Sequence, residues 1–127
     1  MQESNKLDNK GLNRCLISQI PEFKDLSSQL EDESAYLHFG YFAVFLIDAI
    51  EEGKNEDLIN KSFSLLNDLV NLDDANINTM LRVEVFELLA DSKKSVPLCK
   101  EKLEGPALKL FDKVSKFLET GLMPASW

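Results

Sequence analysis

The sequence predicts an all-α protein, and two observations carry that prediction. Apolar residues recur at three- and four-residue spacing along nearly the whole chain, the period of a helix with one buried face. No stretch alternates apolar with polar residues between turn signals, as a half-buried strand does. Glycine and proline are also few, five and four among 127 residues, which argues against disorder and long loops.

Leu12, Cys15, Leu16 and Ile20 mark a first helix. It has to stop before Pro21, because the residue preceding a proline is pushed out of the helical region. A short second helix carries Phe23, Leu26 and Leu30 and ends at the acidic run Glu31, Asp32, Glu33. Ser34 is placed to cap a third helix from about Ala35 to Glu52, and Gly53 stands where a closing glycine belongs. This helix is apolar nearly all round. Tyr36, Leu37, Phe39, Phe42, Val44, Phe45, Leu46, Ile47 and Ile50 leave only a narrow polar edge with Asp48, Glu51 and Glu52, which predicts the central, most buried element. Its aromatic cluster reads as core packing at helical spacing.

Asn55 is placed to cap a fourth helix, with Glu56 and Asp57 suited to its positive end and Leu58, Ile59, Phe63, Leu65, Leu66, Leu69 and Val70 on one face. A fifth, capped by Asp73 or Asp74, runs to about Ala90 with Ile77, Met80, Leu81, Val85, Leu88 and Leu89 inside. Ser95 caps a brief helix through Leu98 and Leu103. Gly105-Pro106 opens the last, where Ala107, Leu110, Phe111, Val114, Phe117 and Leu118 share a face that Gly121 closes. Leu122 to Trp127 form a tail, with Trp127 either docked or mobile. Connections this short make successive helices antiparallel neighbours. The expected architecture is one domain over residues 1–127, an antiparallel bundle or short stacked hairpins of about five to six helices. Phe42, Phe45, Leu46, Phe63, Leu66, Leu81 and Leu88 are expected in one core.

A chain of 127 residues can bury that core without disulfides or metal. Its longest apolar run, Tyr41 to Ile47, falls far short of the roughly 18 residues that span a bilayer. The opening Met-Gln-Glu-Ser-Asn-Lys lacks the order of a signal peptide, so a cytosolic location is expected. Cys15 and Cys99 are far apart and read as small core residues. No cofactor or metal is expected. The glycines form no GxGxxG or GxxxxGK[ST] loop, and there is no Glu-x-x-His pair or His-Glu-x-x-His run. Neither Arg14 nor Arg82 is followed within a few residues by a histidine, as the arginine of small helical RNA-cleaving enzymes is.

Two residues remain as candidates for chemistry. His38, the single histidine, reads as a hydrogen-bonded structural imidazole. Glu84 breaks its helix's pattern, because a wheel of 100 degrees per residue sets it among Ile77, Leu81 and Leu88 while Phe86 points the opposite way. The expectation is a carboxylate held by a hydrogen bond or a cation at a helix junction, on a helix covered on two sides. An enzyme would need His38 and Glu84 in one solvent-connected pocket.

Charge is lopsided. Residues 1–21 carry +1, residues 22–91 carry −12 and residues 92–127 carry +3, for a net −8. An acidic centre repels phosphate backbones, so nucleic acid is not an expected partner, and neither is a membrane; a basic protein is. The candidate partner-binding residues lie outside the apolar faces and are joined by short loops: Glu31, Asp32, Glu33, Asp48, Glu51, Glu52, Glu56, Asp57, Asp68, Asp73 and Asp74. Several of them are expected to converge on one side of the domain, with Phe86 or Trp127 as anchors.

The stretch from Leu58 to Leu69, followed by that from Met80 to Asp91, resembles a group of small helical bacterial proteins. In size, acidity and lack of catalytic motifs, the whole is similar to immunity proteins of bacterial toxin systems such as contact-dependent growth inhibition. That likeness implies neutralisation of a cognate toxin, often a basic nuclease, by binding. The leading expectation is an immunity protein that works by occlusion, and the alternative is a helical adaptor with an apolar groove.

Overall fold

The computed structural model describes residues 8–28 and 34–127, and every regular element among them is helical. Helix α1 (Asn9–Gln19) starts where the Asp8 carboxylate accepts the Gly11 N–H at 2.7 Å, and it stops at Ile20 before the proline. A 3-10 turn (Pro21–Phe23) leads into α2 (Lys24–Ser28), with Phe23 buried and Leu26 half-buried. Leu30 and the acidic Glu31, Asp32 and Glu33 lie outside the described residues.

The Ser34 hydroxyl accepts the Leu37 N–H at the start of α3 (Ala35–Glu52), and Gly53, left-handed at φ 68°, closes it. For α4 (Glu56–Asn71) the cap works differently from expectation. Asn55 holds the cap position at φ 61°, and its side chain makes no capping hydrogen bond; only its carbonyl engages the helix, accepting the Ile59 N–H. Helix α5 (Ala75–Leu81) is capped by Asp74, whose carboxylate accepts the N–H groups of Asn76 and Ile77 at 2.9 and 3.1 Å, while Asp73 makes the left-handed turn before it.

A π turn (Arg82–Phe86) separates α5 from α6 (Glu87–Ala90), and the Glu87 N–H donates to the Arg82 carbonyl, five residues back. In α7 (Ser95–Lys102) Ser95 lies inside the first turn, buried and bonded to the Ser92 hydroxyl at 2.8 Å. Lys94 takes the cap position instead, and Leu103 lies past the end in extended conformation. Helix α8 (Gly105–Thr120) has Pro106 in its first turn and Gly121, at φ 73°, at its end.

The π turn corrects the wheel. A π turn adds one residue to the helix and rotates everything after it. The buried face therefore runs Ile77, Met80, Leu81, Val85, Leu89, one residue later after the turn than a regular helix would place it. Leu88, expected in the core, is exposed, and Phe86 is fully buried. Phe86 packs edge-on against Phe111 of α8 with ring centres 6.3 Å apart, which is the second covered side the sequence implied.

One core joins all of these helices, with Phe42, Leu46, Phe63, Leu66 and Leu81 buried in it as expected. Phe45 is only partly buried at its edge, 5.6 Å from the Phe23 ring. Among the described residues, one side of helix α3 is covered, by α1, α4, the α5–α6 segment and α7. Ala35, His38, Phe39, Phe42, Ala43, Leu46, Ala49 and Ile50 face that side, whereas Tyr36, Leu37, Tyr41 and Val44 are exposed. The central position inferred from its composition is thus half right, because its outer apolar residues have no cover among the described residues. After two reversals α3 and α5–α6 run parallel: Glu84 lies against Gly40, and further along the Lys94 ammonium donates to the Glu51 carbonyl at 3.2 Å. The tail is docked, with Trp127 edge-on to Phe117 at 5.8 Å and the Arg82 guanidinium 4.3 Å from its ring centre.

Candidate functional site

The described acidic candidates fall into three places. Asp48, Glu51 and Glu52 end α3, and Glu56 and Asp57 begin α4 across a three-residue turn, so these five crowd one pole of the molecule, all exposed. Asp73 and Asp74 lie beyond the far end of α4. The 16 residues of α4, at a rise of about 1.5 Å each, set that group roughly 24 Å from the first. Asp68 is on the flank of α4, exposed, in a cleft of about 470 Å³ between α4 and α7. Five of the acids thus come together at one pole, and Asp68, Asp73 and Asp74 lie apart from them. The cause is that α4 is long and carries acids at both ends.

Part of the charge of this pole is already paired within the molecule. Lys61 pairs with Glu22 at 3.0 Å and with Asp57 at 3.3 Å. The hydrogen bond that the Lys61 ammonium donates to Glu22, ahead of that to Asp57, holds the ammonium above its usual pKa. Asp57 is thereby engaged within the molecule. Asp74 is likewise occupied by its cap bonds, which leaves Asp48, Glu51, Glu52 and Glu56 as the compact acidic group.

Beside that group runs an apolar strip that the sequence reading assigned to the core. Leu37, Tyr41 and Val44 share the outer face of α3, and one turn later the strip passes into Asp48 and Glu51. Val83 and Leu88 add exposed apolar surface on the neighbouring segment. The five are between 37 and 48 % exposed. Signals for this surface were present, since α3 is apolar nearly all round. What was missing was knowledge of which side would be covered.

Glu84 sits at the junction between α3 and the π turn, as expected, but the way it is held differs. Its carboxylate lies over Gly40, where an added Cβ would stand 2.8 Å from Oε1. No hydrogen bond or ion pair to Glu84 is found among the described residues. The nearby Arg82 is committed to the Trp127 ring. His38 is buried. It precedes Gly40 on α3 by two residues, about 160 degrees away around the helix, so His38 and the Gly40–Glu84 contact lie on different sides of α3. Phe86, one of two expected anchors, is fully buried and unavailable to a partner, and the other, Trp127, packs on Phe117.

Asn67 was missed by the sequence reading. Its amide donates to the Lys102 carbonyl at 3.1 Å and accepts the Glu104 N–H at 2.9 Å, clasping the α7–α8 connection onto α4. Asn60 takes the Lys102 ammonium at 2.7 Å on the same side. Cys99 is buried, and burial pushes its thiol up to about 12; Cys15 is also raised, chiefly by burial. Among the described residues, no group of three His, Cys, Asp or Glu could hold a metal ion, and no helix is long and apolar enough to cross a membrane.

A family model described as a domain of unknown function (DUF7674) matches residues 13–119, and the chain belongs to that family. No curated protein and no solved structure matches the chain.

Proposed function

We propose that this member of the DUF7674 family is a protein-binding domain that holds a basic partner and blocks it by occlusion, in the manner of an immunity protein that neutralises a toxin. The observation that carries the reading is the meeting, on one helix, of the exposed strip Leu37, Tyr41, Val44 with the acidic group Asp48, Glu51, Glu52, Glu56. Apolar side chains give a complex its lifetime, while a compact like-charged group draws an oppositely charged partner in. Both parts of a binding surface are present and adjacent. The reading as an enzyme needs Glu84 and His38 in one pocket, and their separation around α3 speaks against it.

The test is a pull-down against the product of the neighbouring gene, followed by association kinetics at low and physiological salt. The variant changes Asp48, Glu51, Glu52 and Glu56 to Ser, sparing Asp57 because Lys61 already holds it. Association should slow by about tenfold or more at low salt, and most of its salt dependence should vanish. A partner that binds both proteins at one rate under both conditions would remove the steering role. If Val44→Ser then still hastened dissociation, the alternative of an adaptor with an apolar groove would replace the immunity reading, a possibility favoured by the split of the acidic residues between two poles.

A further inference from the structure

We infer that the seam between α3 and the π turn is a docking groove for a basic amphipathic helix, whose lysine or arginine pairs with Glu84. The inference rests on the binding reading above and names the chemistry of what binds. Two parallel helices lying side by side leave a shallow valley along their outer surface. Here its floor is Gly40, which has no side chain to fill it, with the Glu84 carboxylate laid across. Leu37, Tyr41 and Val44 form one wall, and Val83 and Leu88 lie on the other side. From Leu37 to Val44 the strip spans about 10 Å, the length over which a bound helix offers anchors at i, i+3, i+4 and i+7.

Charge selects the occupant. Glu84 has no cation among the described residues, and Asp48, Glu51 and Glu87 continue the same sign along the rims, where Lys94 at the far end is engaged by the Glu51 carbonyl. A lysine or arginine reaching Glu84 from an apolar helix face would gain a charge-assisted hydrogen bond in partly dry surroundings. Anionic lipid headgroups would meet these carboxylates with like charge, as would a second copy of a chain with net charge −8. The π turn is what makes the arrangement possible, since by rotating the helix it takes Glu84 and Leu88 off the buried face and sets them at the seam.

The probe is a synthetic amphipathic helix with leucine at i, i+3, i+4 and i+7 and lysine elsewhere, and its control carries glutamate in place of lysine. Fluorescence anisotropy should find binding of the lysine helix and none of the control. Glu84→Gln should weaken binding by about tenfold, the loss of one charge-assisted contact. Gly40→Ala should do the same without altering any charge, because its Cβ would displace the Glu84 carboxylate from the groove floor. Unchanged melting by circular dichroism establishes that both variants are folded. Binding that is equal in wild type and both folded variants overturns the inference. So does capture of anionic phospholipid vesicles in place of the peptide, or concentration-dependent self-association that Val44→Ser abolishes. Failure of the neighbouring gene product to bind would remove the proposed function while leaving the peptide result intact, so the two can fail separately.

Discussion

Single side chains decide more here than their types suggest. Cys99 reads from sequence as a small core residue and is one, with a consequence for pH. Its thiol keeps its proton in the folded state up to about 12, whereas the unfolded chain releases it near the ordinary 9.0. Between those values the unfolded state binds fewer protons, so stability should fall as pH rises, by up to about 1.4 kcal/mol per unit. Urea unfolding at about pH 8 and about pH 10 should show a steeper loss in wild type than in Cys99→Ala, and equal slopes would contradict the burial of this thiol. Asn67 teaches the opposite lesson. It lies within an otherwise unremarkable helical stretch, and nothing local marks it, because its partners Lys102 and Glu104 are more than thirty residues away. Asn67→Ala should cost about 1–3 kcal/mol by leaving that carbonyl and N–H unpaired. A urea midpoint equal to that of wild type would mean that water replaces the amide.

At the scale of elements, the helices were legible because their signals are local. Ser34, Asp74, Gly53 and Gly121 act at the ends where their chemistry placed them, and Pro21 stops α1. Errors arose where conformation departs from the regular helix. Asn55 lost its capping role to a left-handed backbone, and the pattern around Glu84 was misplaced by one residue because the π turn has no side-chain signature beyond the irregularity itself. That irregularity, an acid apparently inside and a phenylalanine apparently outside, was the signal; read with one inserted residue, the faces agree. Deleting Val83, which is exposed, should therefore restore an uninterrupted helix with Val85, Phe86 and Leu89 still inward. The variant should keep its helicity and melt near wild type, although Glu84 would swing away from Gly40. Deleting Ser64 from the middle of α4 should instead turn the rest of that face by about 100 degrees and abolish cooperative melting. Equal damage from both deletions would count against the register argument.

For the whole molecule, what the sequence could not reveal is which apolar surface stays uncovered and whether distant acids meet. Both depend on how helices pair, and a periodic pattern fixes a face without naming its neighbour. Tyr41 and Val44 were indistinguishable from Phe42 and Leu46 until α1, α4 and α5 took one side of α3. Glu56 and Asp73 belong to the same acidic segment in sequence but stand at opposite ends of α4. The core is nevertheless continuous, joining Leu16 of α1 to Phe111 of α8, and the docked tail extends it to Trp127. Unfolding should then be one cooperative event, and the single tryptophan, packed on Phe117 under Arg82, provides a probe at one end of it. Leu66→Ala, at a fully buried position on α4, should remove about 2–5 kcal/mol. Its Trp127 fluorescence and far-ultraviolet circular dichroism should shift together to lower urea, because α4 and α8 pack directly on each other and the indole rests on α8. A fluorescence transition that stayed in place, or preceded the loss of helix in wild type, would mean that the tail releases on its own and that the cooperative unit ends within α8.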